Sequence, residues 1–416
     1  MGPAESKLSV DIRAGAGADG LGIAQLIAQT WREQMGIKTA RIVSAVILLG
    51  AATSTATAQE AWNITTMLPL TGPFTAVSPE MKSGMEIAVD EINAKGGIKG
   101  NKIKLTMLDT QSNPAQVATL IREACSDALI VAGPTLSNEA RVAFPVAKSL
   151  ECPAIASNAA AKGITTNSRP WAFAYATPAE ILSPSSIELI VKKLKPKRAV
   201  VIVEKSDPSA SDQGDVSAKS LKDNGVQVET FVANGNDVDF GPVVTRTAGA
   251  SPDLVVIATI DKAAVGLIRE MRKSQLKAAI MLTQSSLSGL VNALDAETIE
   301  GVYRYAEADP GSSSDPRVKQ FVKAFQDRNS GKMPTFIAVA TYDTISLISD
   351  MIQAADLSGK ASDRSSDRKK FVEKLSGVKD WHGLAGTMSM SAEGFMVKPA
   401  TVLVSHNGKL ERVTAD

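Results

Sequence analysis

The chain has 416 residues, 44% apolar and 21% charged, which is more than one typical core accommodates, fits two domains and excludes disorder over most of its length. Lys and Arg number 45 against 44 Asp and Glu, so no global field argues for nucleic acid or for an acidic partner. A small or neutral partner is expected.

In chain order, Lys38 and Arg41 precede an apolar run over residues 42–52, and Ala56-Thr57-Ala58 has the small-residue form of a cleavage site. Together they predict a secretory signal peptide over 35–58 that starts at Met35, its apolar run too short to span a bilayer. Residues 1–34 have no place in that plan and read as an over-called gene start. The mature chain is expected to begin at or near Gln59 in the periplasm, with as many basic as acidic residues. No Cys sits directly after the cleavage site, so no lipid anchor is expected.

Residues 63–68 read as a strand, with Pro69-Leu70-Thr71-Gly72-Pro73-Phe74 as a loop at its carboxyl end. Met81, Met85, Ala88 and Ile92 share one face of the following helix, which stops at Gly96-Gly97. Ile103, Leu105 and Met107 alternate as a strand, and Val117, Leu120, Ile121 and Ala124 mark a second helix. A strand over 129–132 then empties into Gly133-Pro134-Thr135-Leu136-Ser137-Asn138, where Gly and Pro make the turn and Ser137 or Asn138 caps a third helix bearing Ala143, Val146, Ala147 and Leu150. The next strand, over 153–156, ends in Ser157-Asn158-Ala159-Ala160-Ala161.

This run of βα units predicts a parallel sheet with helices on both faces. In such a sheet ligands sit outside the carboxyl ends of the strands, which is where both small polar loops lie. The plainer alternative is that they are ordinary connections. In an oxidising compartment the two cysteines gain meaning. Cys125 and Cys152 each end a helix just before a strand, at the amino-terminal edge of the sheet. A disulfide and a pair of buried thiols are both open readings there.

A strand over 171–175 and a passage at Ala176-Thr177-Pro178 lead to a second series. It holds a helix with Ile187, Ile190, Val191 and Leu194, then strands over 199–203, 226–232, 254–258 and 279–283. Between these strands run a helix ending at Gly225, one opening at Asp239, and one bearing Ala264, Leu267, Ile268 and Met271. This is a second doubly wound domain. A strand over 301–306 exits through Glu307-Ala308-Asp309-Pro310 as a second passage. Helices over 318–325 and 338–355, a polar segment over 358–370 and strands near Met388 and Val402 complete the chain.

Catalytic chemistry finds little support. The chain has only His382 and His406, it lacks C-x-x-C, H-E-x-x-H, G-x-S-x-G and the phosphate-binding G-x-x-x-x-G-K-[ST], and its first strand exits through Pro69-Leu70-Thr71-Gly72-Pro73 without the dinucleotide G-x-G-x-x-G. Asp239-Phe240-Gly241 reads as an Asp cap opening a helix. Asn236, Asp237 and Asp239 lack the spacing and terminal Glu of a calcium loop. No cofactor and no metal are expected.

Pro69-Leu70-Thr71-Gly72-Pro73 and the block Gly84-Met85-Glu86-Ile87-Ala88-Val89-Asp90-Glu91-Ile92-Asn93-Ala94-Lys95-Gly96-Gly97-Ile98-Lys99-Gly100 carry a resemblance. With residues 133–137, Asp239-Phe240, Pro252-Asp253 and Tyr342-Asp343, the mature chain resembles the branched-chain amino-acid-binding proteins of ABC importers, which are type I periplasmic binding proteins. The resemblance implies an α/β fold of two doubly wound parallel-sheet lobes joined by three crossovers, near Thr177, Glu307 and Pro399. Residues 59–177 with 307–399 would form lobe 1, and 178–306 with 400–416 lobe 2. It implies no enzyme activity, a small-molecule ligand, a membrane permease as partner, and a monomer.

By the same resemblance Ser137 binds the ligand carboxylate through its hydroxyl. Asn158, Ala159 and Ala160 form the adjoining backbone, with Ala160 standing where amino-acid binders have Thr. Gln284 aligns with the Glu that receives the α-ammonium, Ile260 falls near an aromatic contact of the second lobe, and Val77, with Phe74 nearby, near an aromatic wall of the first. A neutral amide hydrogen-bonds a hydroxyl or carbonyl but does not balance a buried ammonium, and no other group in the sequence is an evident partner for a cation. The expected ligand is therefore an apolar or aromatic carboxylate without an α-amine. An amino-acid or amide binder and a sensor for a membrane receptor are the alternatives within the class, and an α/β enzyme with an unrecognised site is the alternative outside it.

Overall fold

The computed structural model describes residues 61–286, 294–311, 313–398 and 400–414. The expectations for residues 1–34, for the signal at 35–58 with cleavage before Gln59, and for Pro399 itself lie outside the described residues.

Strands β1 (Trp62–Leu68), β2 (Ile103–Asp109), β3 (Ile130–Ala132), β4 (Ala154–Ala156) and β5 (Ala172–Ala174) form an all-parallel sheet in the order β2-β1-β3-β4-β5. Its side chains alternate between faces: Ile64 and Leu68 enter one apolar cluster, Met67 and Val131 the other. Helix α1 (Ser78–Ala94) covers the first face with Met81, Met85 and Ala88. Helices α2 (Pro114–Asp127) and α3 (Ser137–Ser149) cover the second, through Val117 and Ile121 and through Ala140, Ala143 and Phe144. On that second face Cys125 and Cys152 are joined by a disulfide, with their Cα atoms 5.8 Å apart.

The chain passes to a second sheet through α4 (Ala179–Leu194) and returns to its centre repeatedly. Here β6 (Arg198–Val203), α5 (Pro208–Asp223), β7 (Gln227–Val232), α6 (Gly241–Gly249), β8 (Leu254–Ala258), α7 (Asp261–Lys273), β9 (Ala279–Leu282), the short α8 (Ala296–Ile299) and β10 (Val302–Ala306) follow in turn. Val200, Ile202, Val255 and Ile257 point to one apolar cluster, and Ala199, Val201, Leu254 and Val256 to the other. Burial on both faces explains why these strands read as continuous apolar runs.

After β10 the chain goes back to the first sheet with α9 (Pro316–Arg328), α10 (Phe336–Ala354) and α11 (Arg364–Ser376). Phe336, Ala340, Ile345 and Ile348 of α10 join the cluster under α1. The two helices meet at Gly84, where a Cβ would lie 2.2 Å from Thr341 Oγ1 and 2.3 Å from the Ala338 carbonyl oxygen. A small antiparallel sheet of β11 (Trp381–Gly383), β12 (Gly386–Met390) and β13 (Met396–Val397) precedes the last crossing. Strands β14 (Thr401–His406) and β15 (Lys409–Arg412) then complete a seven-stranded sheet ordered β15-β14-β10-β9-β8-β6-β7.

Several local expectations are corrected. The second sheet is not wholly parallel, because β14 and β15 join as an antiparallel hairpin. Its turn is Asn407-Gly408, both at positive φ, the tight connection that suits strand twist. Residues 358–370 are more than a polar segment, since α11 begins at Arg364 and buries Phe371, Val372 and Leu375. Buried Arg368 donates to the carbonyls of Cys125, Ala128 and Leu129, so its charge meets the open C-terminal end of α2. Neither Ser137 nor Asn138 is the cap of α3: Leu136 holds that position and Ser137 is the first helical residue. Asp239 stands one residue before the cap of α6, yet its carboxylate accepts the Gly241 N–H at 2.8 Å.

Candidate functional site

Both sheets reverse their strand order once, between β1 and β3 in the first and between β6 and β8 in the second. The loops leaving these strands face one cavity of about 200 Å³. Pro73 and Phe74 follow β1, Leu136 and Ser137 follow β3, and Asn158 and Ala160 follow β4. From the second sheet come Asp207 and Ser209 after β6, Ile260 and Lys262 after β8, and Gln284 and Ser285 after β9. The cavity thus lies where open α/β sheets place ligands.

The first-sheet side is rich in unused donors. Ser137 is almost wholly buried, and its Oγ accepts the Ala161 N–H at 3.3 Å, leaving the hydroxyl proton free to donate. Asn158 uses its Oδ1 to accept from Ser157 Oγ at 2.8 Å, and its Nδ2 is buried with no partner. Phe74, Val77, Met81, Phe336 and Ile337 supply apolar wall. Behind Ser137, burial pushes the Glu139 carboxyl up to about 7; a hydrogen bond from Thr110 at 2.6 Å opposes the shift and Asp109 adds to it.

On the other side, Asp207 caps α5, its carboxylate accepting the Ala210 N–H at 2.7 Å while burial raises its pKa. Gln213 bridges the Ser285 N–H at 3.0 Å and Ser209 Oγ at 3.1 Å. Gln284 donates its Nε2 to Glu307 Oε1 at 2.5 Å, and its Oε1 is buried without a partner. Glu307 in turn accepts the Thr177 N–H at 2.9 Å and pairs with Lys398 at 2.5 Å, both side chains being fully buried. Lys398 Nζ also donates to the Tyr175 carbonyl at 2.9 Å, and burial pushes its pKa down against the opposing pull of Glu307.

Seven of the eight ligand contacts expected from the sequence line this cavity: Phe74, Val77, Ser137, Asn158, Ala160, Ile260 and Gln284. Ala159 does not. Its side chain is fully buried in the apolar cluster of the second face, between two neighbours that turn toward the cavity. The cavity lining also includes an acidic residue that the sequence reading did not single out, Asp207 on the second-sheet side. Asp207 follows a strand and precedes Pro208 at a helix start, so the rule that located Ser137 also applies to it. Gln213 reaches the cavity from within α5, and Phe336 and Ile337 from the first turn of α10, which no strand precedes, so none carries that signal. Among the described residues no group of three or more His, Cys, Asp or Glu is placed to hold a metal, and no helix is long and apolar enough to cross a membrane.

Two doubly wound lobes with a cavity at both topological switch points define a type I periplasmic binding protein. The chain belongs to the periplasmic binding protein family, which matches residues 61–408. A leucine-, isoleucine-, valine-, threonine- and alanine-binding protein of Pseudomonas aeruginosa is 23% identical over 340 residues, 81% of this chain and 88% of the relative. An isoleucine complex of the branched-chain amino acid transporter substrate-binding protein LivJ from Streptococcus pneumoniae superposes with a TM-score of 0.73 at 24% identity, over 85% of this chain and 98% of that one. A benzoate complex of an ABC-transporter solute-binding protein from R. palustris gives 0.74 at 19% identity, over 85% and 96%. At these identities the structural likeness shows the fold. The family is one of solute-binding proteins, and such relatives are ligand-binding components of ABC transporters.

Proposed function

We propose that the protein binds a small organic carboxylate lacking an α-amine, with an apolar or aromatic body, in the periplasm and presents it to an ABC importer permease. The observation that carries this reading is the buried, unpartnered Nδ2 of Asn158, a residue that lines the cavity together with Ser137. A buried donor without an acceptor is costly, and a carboxylate oxygen removes that cost. Phe74, Val77, Ile260 and Phe336 favour an apolar body. The test is a thermal-shift screen of matched pairs, an acid beside its α-amino analogue, such as phenylacetate with phenylglycine and 3-phenylpropanoate with phenylalanine. The plain acids are expected to raise the melting temperature.

A second reading has its own observation. Asp207 places a carboxylate on the opposite side of the cavity, where it would receive the ammonium of an amino acid. In that case the amino acids stabilise the protein and the plain acids do not, and Asp207→Asn abolishes the effect.

A further inference from the structure

The polarity of Gln284 is fixed by the group behind it. A carboxylate accepts hydrogen bonds and donates none, and Glu307 receives three, from Lys398 Nζ, the Thr177 N–H and Gln284. The amide end facing Glu307 is therefore Nε2, which leaves Oε1 as the end that is buried without a partner. Lys398 balances the charge of Glu307 within the protein, so this carboxylate asks for no cation from the ligand.

We infer that Glu307, held by Lys398, acts as a positioning residue that makes Gln284 an acceptor, so that the pocket selects carboxylates carrying a second, neutral hydrogen-bond donor, such as a phenolic hydroxyl. The inference rests on the acid reading above and adds the second polar group of the ligand. An amide oxygen offers no countercharge to an ammonium, whereas a hydroxyl needs none. An ether at the same position brings only an acceptor, and two acceptors facing each other leave both unpaired. With the orientation released, the preference disappears: in Glu307→Gln the new amide can offer its own N–H to the Gln284 carbonyl.

Titration calorimetry of the full chain with benzoate, the three hydroxybenzoates and their methyl ethers tests this. The best hydroxybenzoate is expected to bind at least about tenfold more tightly than both its methyl ether and benzoate, the value of one buried hydrogen bond. In Glu307→Gln that ratio is expected to fall to about threefold or less. Should this variant fail to fold, Gln284→Leu leaves the Glu307–Lys398 pair in place and is expected to collapse the same ratio, which a purely structural role would not move. Acids that bind with equal affinity as hydroxyl and ether overturn the inference and leave the acid reading standing. If no acid binds and amino acids do, both fall together.

Discussion

Ser137 and Glu139 sit two residues apart in the first turn of α3 and face different tasks. The Ser137 oxygen is already occupied by the Ala161 N–H, so its proton is the part available to a carboxylate. Ser137→Ala should weaken acid binding by about 1 to 2 kcal/mol in calorimetry, as the loss of a hydrogen bond to a charged group does. Unchanged affinity would remove Ser137 from the contact set. Glu139 is instead a stability device of defined sign. Its folded pKa of about 7 lies above the ordinary 4.5 because burial disfavours the charge. The folded state therefore holds the proton more tightly than the unfolded chain, and stability falls as pH rises from 4.5 toward 7. Glu139→Gln should flatten this fall, and above about pH 7 it should be the more stable protein by an amount on the order of 3 kcal/mol. Parallel pH dependence of urea unfolding in both proteins, across roughly pH 5 to 8, would refute the assignment. The loops that carry Ser137 and Asn158 were legible in the sequence because periodicity marks where strands end, whereas Gln284 was assigned through the family resemblance. Asp207 stood in an equally legible place. Phe336 and Ile337 did not, since they open a helix that follows another helix and no strand end points to them.

At the scale of elements, the pairing of α1 with α10 depends on the missing side chain at Gly84. Gly84→Ala puts a methyl against the Ala338 carbonyl, which is backbone and does not give way without moving a helix. A loss of about 1 to 3 kcal/mol is expected in equilibrium unfolding, the usual cost of overpacking, and a neutral result would show that the helices separate freely. The Cys125–Cys152 bond spans 27 residues and ties the end of α2 to the approach to β4. Replacing both with Ser should lower stability by about 3 kcal/mol by the loop-entropy relation, measured as a fall in the denaturant midpoint. The regular βα alternation was readable because both faces of each sheet are buried and helices change the period of the apolar pattern. Helix α11 was not, because Asp367 and Arg368 are charged yet buried, and the carbonyl partners of Arg368 lie some 240 positions away in sequence. The hairpin of β14 and β15 carried its own signal in Asn407-Gly408.

The chain crosses between the sheets after β5, after β10 and after β13, and buried polar contacts gather at those crossings. Thr177 donates from its N–H to Glu307 and from its hydroxyl to the Met396 carbonyl at 2.8 Å, while Glu307 pairs with Lys398. One residue from each crossing is thus held by the others, and Gln284 in the cavity is bonded to the same carboxylate. Such an anchored point lets two rigid bodies rotate about it while their distant edges separate. A ligand within the cavity of about 200 Å³ lies between loops from both sheets. It also contacts both sets of loops at once only when they are together, so its binding free energy is larger in the closed arrangement and shifts the population toward it. The expected outcome is a smaller radius of gyration in small-angle scattering when the protein is saturated with the most stabilising acid of the thermal-shift screen. Lys398→Met leaves Glu307 a buried charge without its cation, and should reduce both stability and the ligand-induced contraction. An acid that demonstrably binds to the wild-type protein without changing its radius would exclude hinge closure and require a cavity that fills through local loop movement alone.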